Sequence, residues 1–207
     1  MSLNAALGEY PADILEGHPT LWDDELQQFR PEYWAYHRLN VFQGTVLPHI
    51  YGFYNVILRH GESCVALVME YIDAIPSKDL KQVVDIVASP PQALNVTAAG
   101  LSASTHALHA LQVHQSDLTA RNFLWTYDSI RHGCGPVAID FGRAIRLGLY
   151  HRSRSFIEIC NTLIEYKFQP DDVKAWVRST LTADSTAAKM FDVENEEVGL
   201  YEDAINR

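Results

Sequence analysis

Positive charge is scarce in this 207-residue chain, and lysine is scarcer still. Sixteen Lys and Arg stand against 26 Asp and Glu, a formal net charge of −10. Only five of the sixteen are lysines, and the first is Lys78. A field of that sign disfavours nucleic acid and anionic membrane surfaces as partners. Cysteine is also sparse. Cys64, Cys134 and Cys160 lie far apart and form no C-x-x-C pair, which argues against a disulfide framework and fits free thiols in a reducing, cytoplasmic compartment. No apolar run approaches the ~20 residues that a membrane-spanning helix needs. The first residues lack a charged n-region with a continuous apolar core, so no signal peptide is read. No internal repeat is visible.

What remains is an ordinary globular composition, 47% apolar, 20% charged and 11% aromatic, which excludes disorder and low complexity. At roughly 150 residues per domain the length implies one domain or two small lobes. Residues 1–20 show no clear period and read as an irregular lead-in. Helical spacing sets in between Trp22 and Leu39, with Pro31 in the first turn of a helix running from about Glu32. His49–Leu58 and Ser63–Ile72 read as a β-hairpin around Arg59-His60-Gly61-Glu62. Ser77 is a candidate N-cap for a helix through about Ala88. Pro90-Pro91 separates it from a longer helix, about Gln92 to Leu111. Phe123–Tyr127 and Val137–Ile139 read as short strands joined by a turn. Helices follow at Phe156–Tyr166 and Val173–Leu181, and the acidic tail from Asp192 reads as solvated surface.

The chemistry-bearing stretch is Asp117-Leu118-Thr119-Ala120-Arg121-Asn122, followed about twenty residues later by Asp140-Phe141-Gly142. An Asp in a loop after a helix can accept a proton from a hydroxyl. An Asn five residues on can turn a neutral oxygen toward Mg²⁺, and a second Asp after a short strand can bind the same metal. Phosphoryl transfer asks little more of side chains than positioning and charge neutralisation. Mg²⁺ suits hard oxygen donors and takes few of them from protein.

With these motifs in this order, the chain resembles the protein kinase-like superfamily, especially its fungal-type kinase-like and aminoglycoside phosphotransferase-like members. Asp117 and Asn122 match the catalytic loop, and Asp140-Phe141-Gly142 the metal-binding motif. Leu67–Ile72 looks like the fifth strand and hinge, with Met69 as gatekeeper. Glu32-Tyr33-Trp34-Ala35-Tyr36 looks like the C-helix, with Glu32 at its conserved-Glu position. The resemblance spans about Glu32 to Arg143. It implies an α+β, two-lobe fold with a reduced N-terminal β-lobe (residues 21–72) and a mainly helical C-terminal lobe (residues 73–207). It further implies ATP between the lobes, Mg²⁺ on Asn122 and Asp140, and backbone groups of Glu70 and Ile72 offered to adenine. Asp117 would then deprotonate the hydroxyl of an unidentified acceptor.

Several family features are missing. The family usually has His two residues before the catalytic Asp, where this chain has Gln115. No Gly-rich loop precedes Glu32, and no lysine precedes Lys78 to pair with it. No Ala-Pro-Glu follows Gly142. These departures imply an N-terminally truncated, small-molecule-type or degenerate member. The alternative is a pseudokinase that binds a protein partner as a scaffold.

Other signals read as structure. His106, His109 and His114 lack the third-ligand spacing of a zinc site and read as ordinary histidines rather than a metal-dependent hydrolase centre. Gly133-Cys134-Gly135-Pro136-Val137-Ala138 matches G-x-G-x-x-A only formally, since it precedes a strand and Pro136 removes an N–H; it reads as a hairpin turn. The arginines between Arg143 and Arg154 read as solvated surface, with contact to an anionic substrate as the alternative. No Gly-x-Ser-x-Gly elbow or Cys–His nucleophile pair appears.

Overall fold

The computed structural model describes residues 23–180. Both the lead-in at residues 1–20 and the acidic tail from Asp192 lie outside them. The first helix, α1 (Asp23–Arg38), begins well before Glu32 and runs through Pro31. Proline costs a helix one interior hydrogen bond, so the expectation of a helix start there was physically reasonable. Packing outweighs that loss. Trp34, Ala35, Tyr36 and Leu39 are buried on the inner face. The Phe29 and Tyr33 rings meet Phe53 at 5.3 and 5.2 Å between centroids. At its C-terminal end Arg38 donates Nε–H to the carbonyl of Leu111 at 2.6 Å, tying α1 to the centre of the molecule.

The hairpin is as expected, with β1 (Ile50–Ile57) antiparallel to β2 (Ser63–Met69) and Phe53 opposite Leu67. Phe53 and Leu67 pack on the core, while Tyr51, Tyr54 and Ile57 face outward. Burial along β1 does not alternate strictly: the register is irregular between Ile50 and Gly52, and the consecutive Tyr54 and Asn55 are both exposed.

Helix α2 (Leu80–Ala88) starts three residues after Ser77, which is not its cap; Asp79 precedes it without a side-chain capping bond. Ser89, at φ 66°, turns the chain into α3 (Pro90–Ala110), where the two prolines occupy the first helical positions. Their missing N–H groups would have had no helical partner there. Helix α3 is central, with Ala93, Ala98, Leu101 and Leu108 buried. Gly100 and Gly135 let α3 approach the backbone around residue 135: a Cβ on Gly135 would lie 2.7 Å from the Gly100 carbonyl oxygen.

The rest is built from very short strands. β3 (Val113–Gln115) pairs antiparallel with β6 (Ala144–Arg146), a pair that the sequence pattern did not reveal. β4 (Phe123–Leu124) pairs antiparallel with β5 (Val137–Ala138). The segment between β4 and β5 is more than a turn. It holds α4 (Tyr127–His132), closed by a Thr126–Ser129 capping box and ended by Gly133 at φ 68°. Helices α5 (Leu149–Glu165) and α6 (Pro170–Thr180) complete the described chain. Among the described residues the architecture is α+β, with three two-stranded antiparallel sheets and one continuous core. Among the described residues no helix is long and apolar enough to cross a membrane.

Candidate functional site

The site grows from β3, whose three residues are all buried. Beyond it the chain folds back on itself. The Asp117 carbonyl accepts from the Thr119 N–H at 2.9 Å, and the Thr119 carbonyl from the Asn122 N–H at 3.0 Å. The Asn122 side chain closes the ring: its Nδ2 donates to the Asp117 carbonyl at 2.9 Å. That bond fixes the amide plane and leaves Oδ1 without a hydrogen bond among the described residues.

Two further bonds bring the second motif to the first. The Ile139 N–H donates to the Asn122 carbonyl at 2.9 Å. Gln115 Nε2 donates to the carbonyl of Ile139 and, at 3.0 Å, to that of Asp140. The Gln115 side chain is thus the clamp between the two Asp motifs. A primary amide has two donor hydrogens and can serve two carbonyls at once. Asp140 sits at φ 60°, a left-handed conformation that Asp tolerates better than most residues. Its carboxylate takes a long contact, 3.4 Å, from the Gly142 N–H.

Helix α1 supplies the third part. The backbone of Phe141 favours the charged form of Glu32, yet its carboxyl titrates above the usual range, chiefly because burial penalises the charged form and then because the Asp140 carboxylate lies nearby. Tyr36, one helical turn on, packs its ring on Phe141 at 5.1 Å. Burial, together with Glu32 and Asp140, pushes the Tyr36 phenol up. Its hydroxyl is shut off from solvent with no well-formed hydrogen bond, although the Asp140 backbone is close by. Glu32, Tyr36, Phe141 and Asp140 therefore form one contiguous group.

Helix α5 is the floor. Thr162 Oγ1 donates to the Leu118 carbonyl at 2.5 Å, Glu165 accepts from the Ala120 N–H at 2.7 Å, and the Tyr166 hydroxyl donates to the Ala120 carbonyl at 3.2 Å. The Asp117 carboxylate, 16% exposed, accepts from Arg121 at 2.9 Å. Next to this floor, Ser155 Oγ lies 3.2 Å from both His109 Nε2 and His114 Nδ1. His114 is therefore a buried strand residue within a small polar network, whereas His106 is exposed.

The structure thus gathers Asp117, Asn122, Asp140 and Glu32. Met69, Glu70 and Ile72 lie at the end of β2 and in the segment that follows, all partly buried. The Glu70 carboxylate accepts from the His49 N–H at 2.9 Å, and the Glu70 N–H donates to the His49 carbonyl at 2.9 Å. The Glu70 carbonyl and the Ile72 N–H make no hydrogen bond among the described residues. In extended backbone such an i, i+2 pair faces one side.

Sequence reasoning missed the clamp by Gln115 and the floor formed by Thr162, Glu165 and Tyr166. Arg121 had a signal, its i, i+4 spacing from Asp117. The arginines after Gly142 fit surface roles where described: Arg143 is exposed, and Arg154 pairs with Glu158 at 3.0 Å.

For Mg²⁺ the fit rests on donor chemistry. An amide oxygen without a hydrogen bond and an exposed carboxylate are hard oxygens of the type it takes, a few at a time. Among the described residues no group of three or more His, Cys, Asp and Glu side chains is placed to hold a metal ion. No protein-family model matches the chain, and no curated protein matches it significantly.

Proposed function

We propose that this chain is a kinase-like module for ATP-dependent phosphotransfer to a hydroxyl, in a two-lobe arrangement with α1 and the hairpin on one side of the nucleotide. The observation that carries the reading is the double clamp on the two Asp motifs. Asn122 Nδ2 holds the Asp117 carbonyl, and Gln115 Nε2 holds the carbonyls of Ile139 and Asp140. A structural turn at Asp117 would not need a buried glutamine tying it to the backbone of a second Asp about twenty residues on.

In this reading Asp117 orients the acceptor hydroxyl and takes its proton. Arg121, bonded to the Asp117 carboxylate at 2.9 Å, keeps it in place. Asn122 and Asp140 hold Mg²⁺. The Glu70 carbonyl and the Ile72 N–H face adenine, with Met69 at the pocket wall. Bound ATP with Mg²⁺ supplies the phosphoryl group and the neutralising charge.

A second reading, a pseudokinase that binds a protein partner, is favoured by Glu32. The charge acting on it is a carboxylate, Asp140, rather than a cation. A thermal-shift titration with ATP and Mg²⁺ separates the two, because a ligand of the native state raises stability by mass action. Phosphotransfer predicts a saturable rise and γ-phosphate release or transfer. Asp117→Ala should lower turnover by about 10²–10⁴-fold with the melting temperature of the free protein nearly unchanged. No shift at millimolar ATP would favour the scaffold, and full activity in Asp117→Ala would remove Asp117 from its role.

A further inference from the structure

Beside the candidate catalytic loop lies an open groove of about 400 Å³, lined by Ser77, Lys78, Thr119, Arg121, Glu165 and Lys167. Its charge is opposite to that of the molecule. Three cations line it in a chain of net charge −10. The one carboxylate, Glu165, already accepts from the Ala120 N–H. Lys78 and Lys167 are exposed and make no ion pair among the described residues.

Local electrostatics explain Lys167, which follows the C-terminus of α5, where a cation is favourable. They do not explain Lys78. It sits just before the N-terminus of α2, the end that disfavours a cation. Three elements far apart in sequence thus place cations around one concavity, where a low-dielectric wall strengthens the field on an anion. Thr119 adds an idle donor. Its hydroxyl is shut off from solvent and unpaired, a costly state for a polar group that a χ1 rotation toward a seated anion would relieve. Arg121 joins the groove to the chemistry, since its guanidinium also holds Asp117 at 2.9 Å.

We propose that this groove binds the anionic group, a phosphate or a carboxylate, of the acceptor whose hydroxyl is presented to Asp117. The acceptor role rests on the phosphotransfer reading above; the anion site itself does not. The groove volume matches the charged end of a small hydroxylated molecule. Arg121 sets the spacing, because one guanidinium separates the anion from the base. The acceptor's charge and its reacting hydroxyl are therefore close together on the same molecule.

The test titrates inorganic phosphate, and separately acetate, into the full chain without ATP or Mg²⁺, followed by amide and Lys/Arg side-chain NMR. Potassium chloride at matched ionic strength is the control. Saturable shifts centred on Lys78, Thr119, Arg121 and Lys167 are expected. Their relative strength with the two anions distinguishes a phosphate acceptor from a carboxylate one. K78A/K167A, at two exposed positions that leave the core intact, should weaken binding by about tenfold or more, and K78R/K167R should retain it. Shifts that are diffuse, that chloride reproduces, or that survive K78A/K167A unchanged would overturn the site. The two readings fail separately. Phosphate in the groove without ATP turnover by the wild type leaves the anion site standing and removes phosphotransfer; turnover without phosphate in the groove removes the groove alone.

Discussion

The hairpin β1–β2 and the loop between β3 and β4 are both held by antiparallel strand pairing, yet they are fixed by different forces. The hairpin relies on a long backbone ladder and one packed face. Its ends leave Ile57 79% and Tyr51 63% exposed. The loop has almost no ladder, because its flanking strands are three and two residues long. Gln115, Asn122, Thr162, Glu165 and Tyr166 hold it through side-chain bonds to backbone, several of them across more than forty residues of sequence. A ladder fixes register but tolerates changes at any one side chain. A loop pinned by single buried side chains is positioned more rigidly and has less redundancy, as a site for chemistry requires.

Phe141 tests the difference most severely. It is fully buried and meets Tyr36 of α1. Phe141→Ala should cost about 3–5 kcal/mol, read from urea denaturation. The hairpin counterpart, Phe53→Ala, removes a ring that is only partly buried and should cost about half as much. Equal losses would mean that the hairpin belongs to the same packed unit as the loop.

Gln115→Ala comes next. It leaves the partly buried Ile139 and Asp140 carbonyls short of a donor, a loss of about 1–3 kcal/mol. If Gln115 is the clamp, the variant should also lose ATP-dependent turnover or Mg²⁺-dependent stabilisation more than its stability loss explains. A variant that melts lower but keeps full turnover would make Gln115 merely structural.

That contrast also explains which parts of the molecule were legible in its sequence. The hairpin was readable because β-branched and aromatic residues flanking a Gly-containing turn are a local signal. The order of Asp117, Asn122 and Asp140 was readable because their spacing is itself the motif. α1 was begun too late because Pro31 is a breaker by local rules, and only packing of Trp34 and Tyr36 overrides it. β3 and β6 were invisible: three residues carry no usable period, and their pairing joins segments about thirty residues apart. The floor was invisible for the same reason, since nothing around Glu165 announces a bond to Ala120. Gln115 stood out only as a departure from a family pattern, and its role became clear from its two acceptors.

Glu158 on α5 gives a smaller and pH-dependent effect. Burial raises its carboxyl above the usual range, with Arg154 on the same helix opposing that and Asp117 of the loop adding to it. His114 of β3 faces it at 3.9 Å, and Arg154 bonds to it at 3.0 Å. A carboxyl raised in the folded state keeps its proton where the unfolded chain has lost it. Its contribution is therefore full below the ordinary carboxylate range and is lost as pH rises through the folded value. As pH rises from the ordinary carboxylate range through the raised folded value, the wild type should lose stability relative to Glu158→Gln. Parallel curves would mean that His114 and Arg154 compensate the buried charge completely.

The smallest effects belong to the outer side of the hairpin region. Ile57 and Tyr71 are 79% and 88% exposed. Ile57→Thr keeps the branched β-carbon that suits a strand, and Tyr71→Ser removes a ring outside the regular ladder. Each should change stability by no more than about 0.5 kcal/mol, measured by denaturation of the full chain. A loss above about 1 kcal/mol for either would show that this face is covered in the folded protein. The hairpin would then be held from both sides, and its apparent tolerance relative to the loop would vanish.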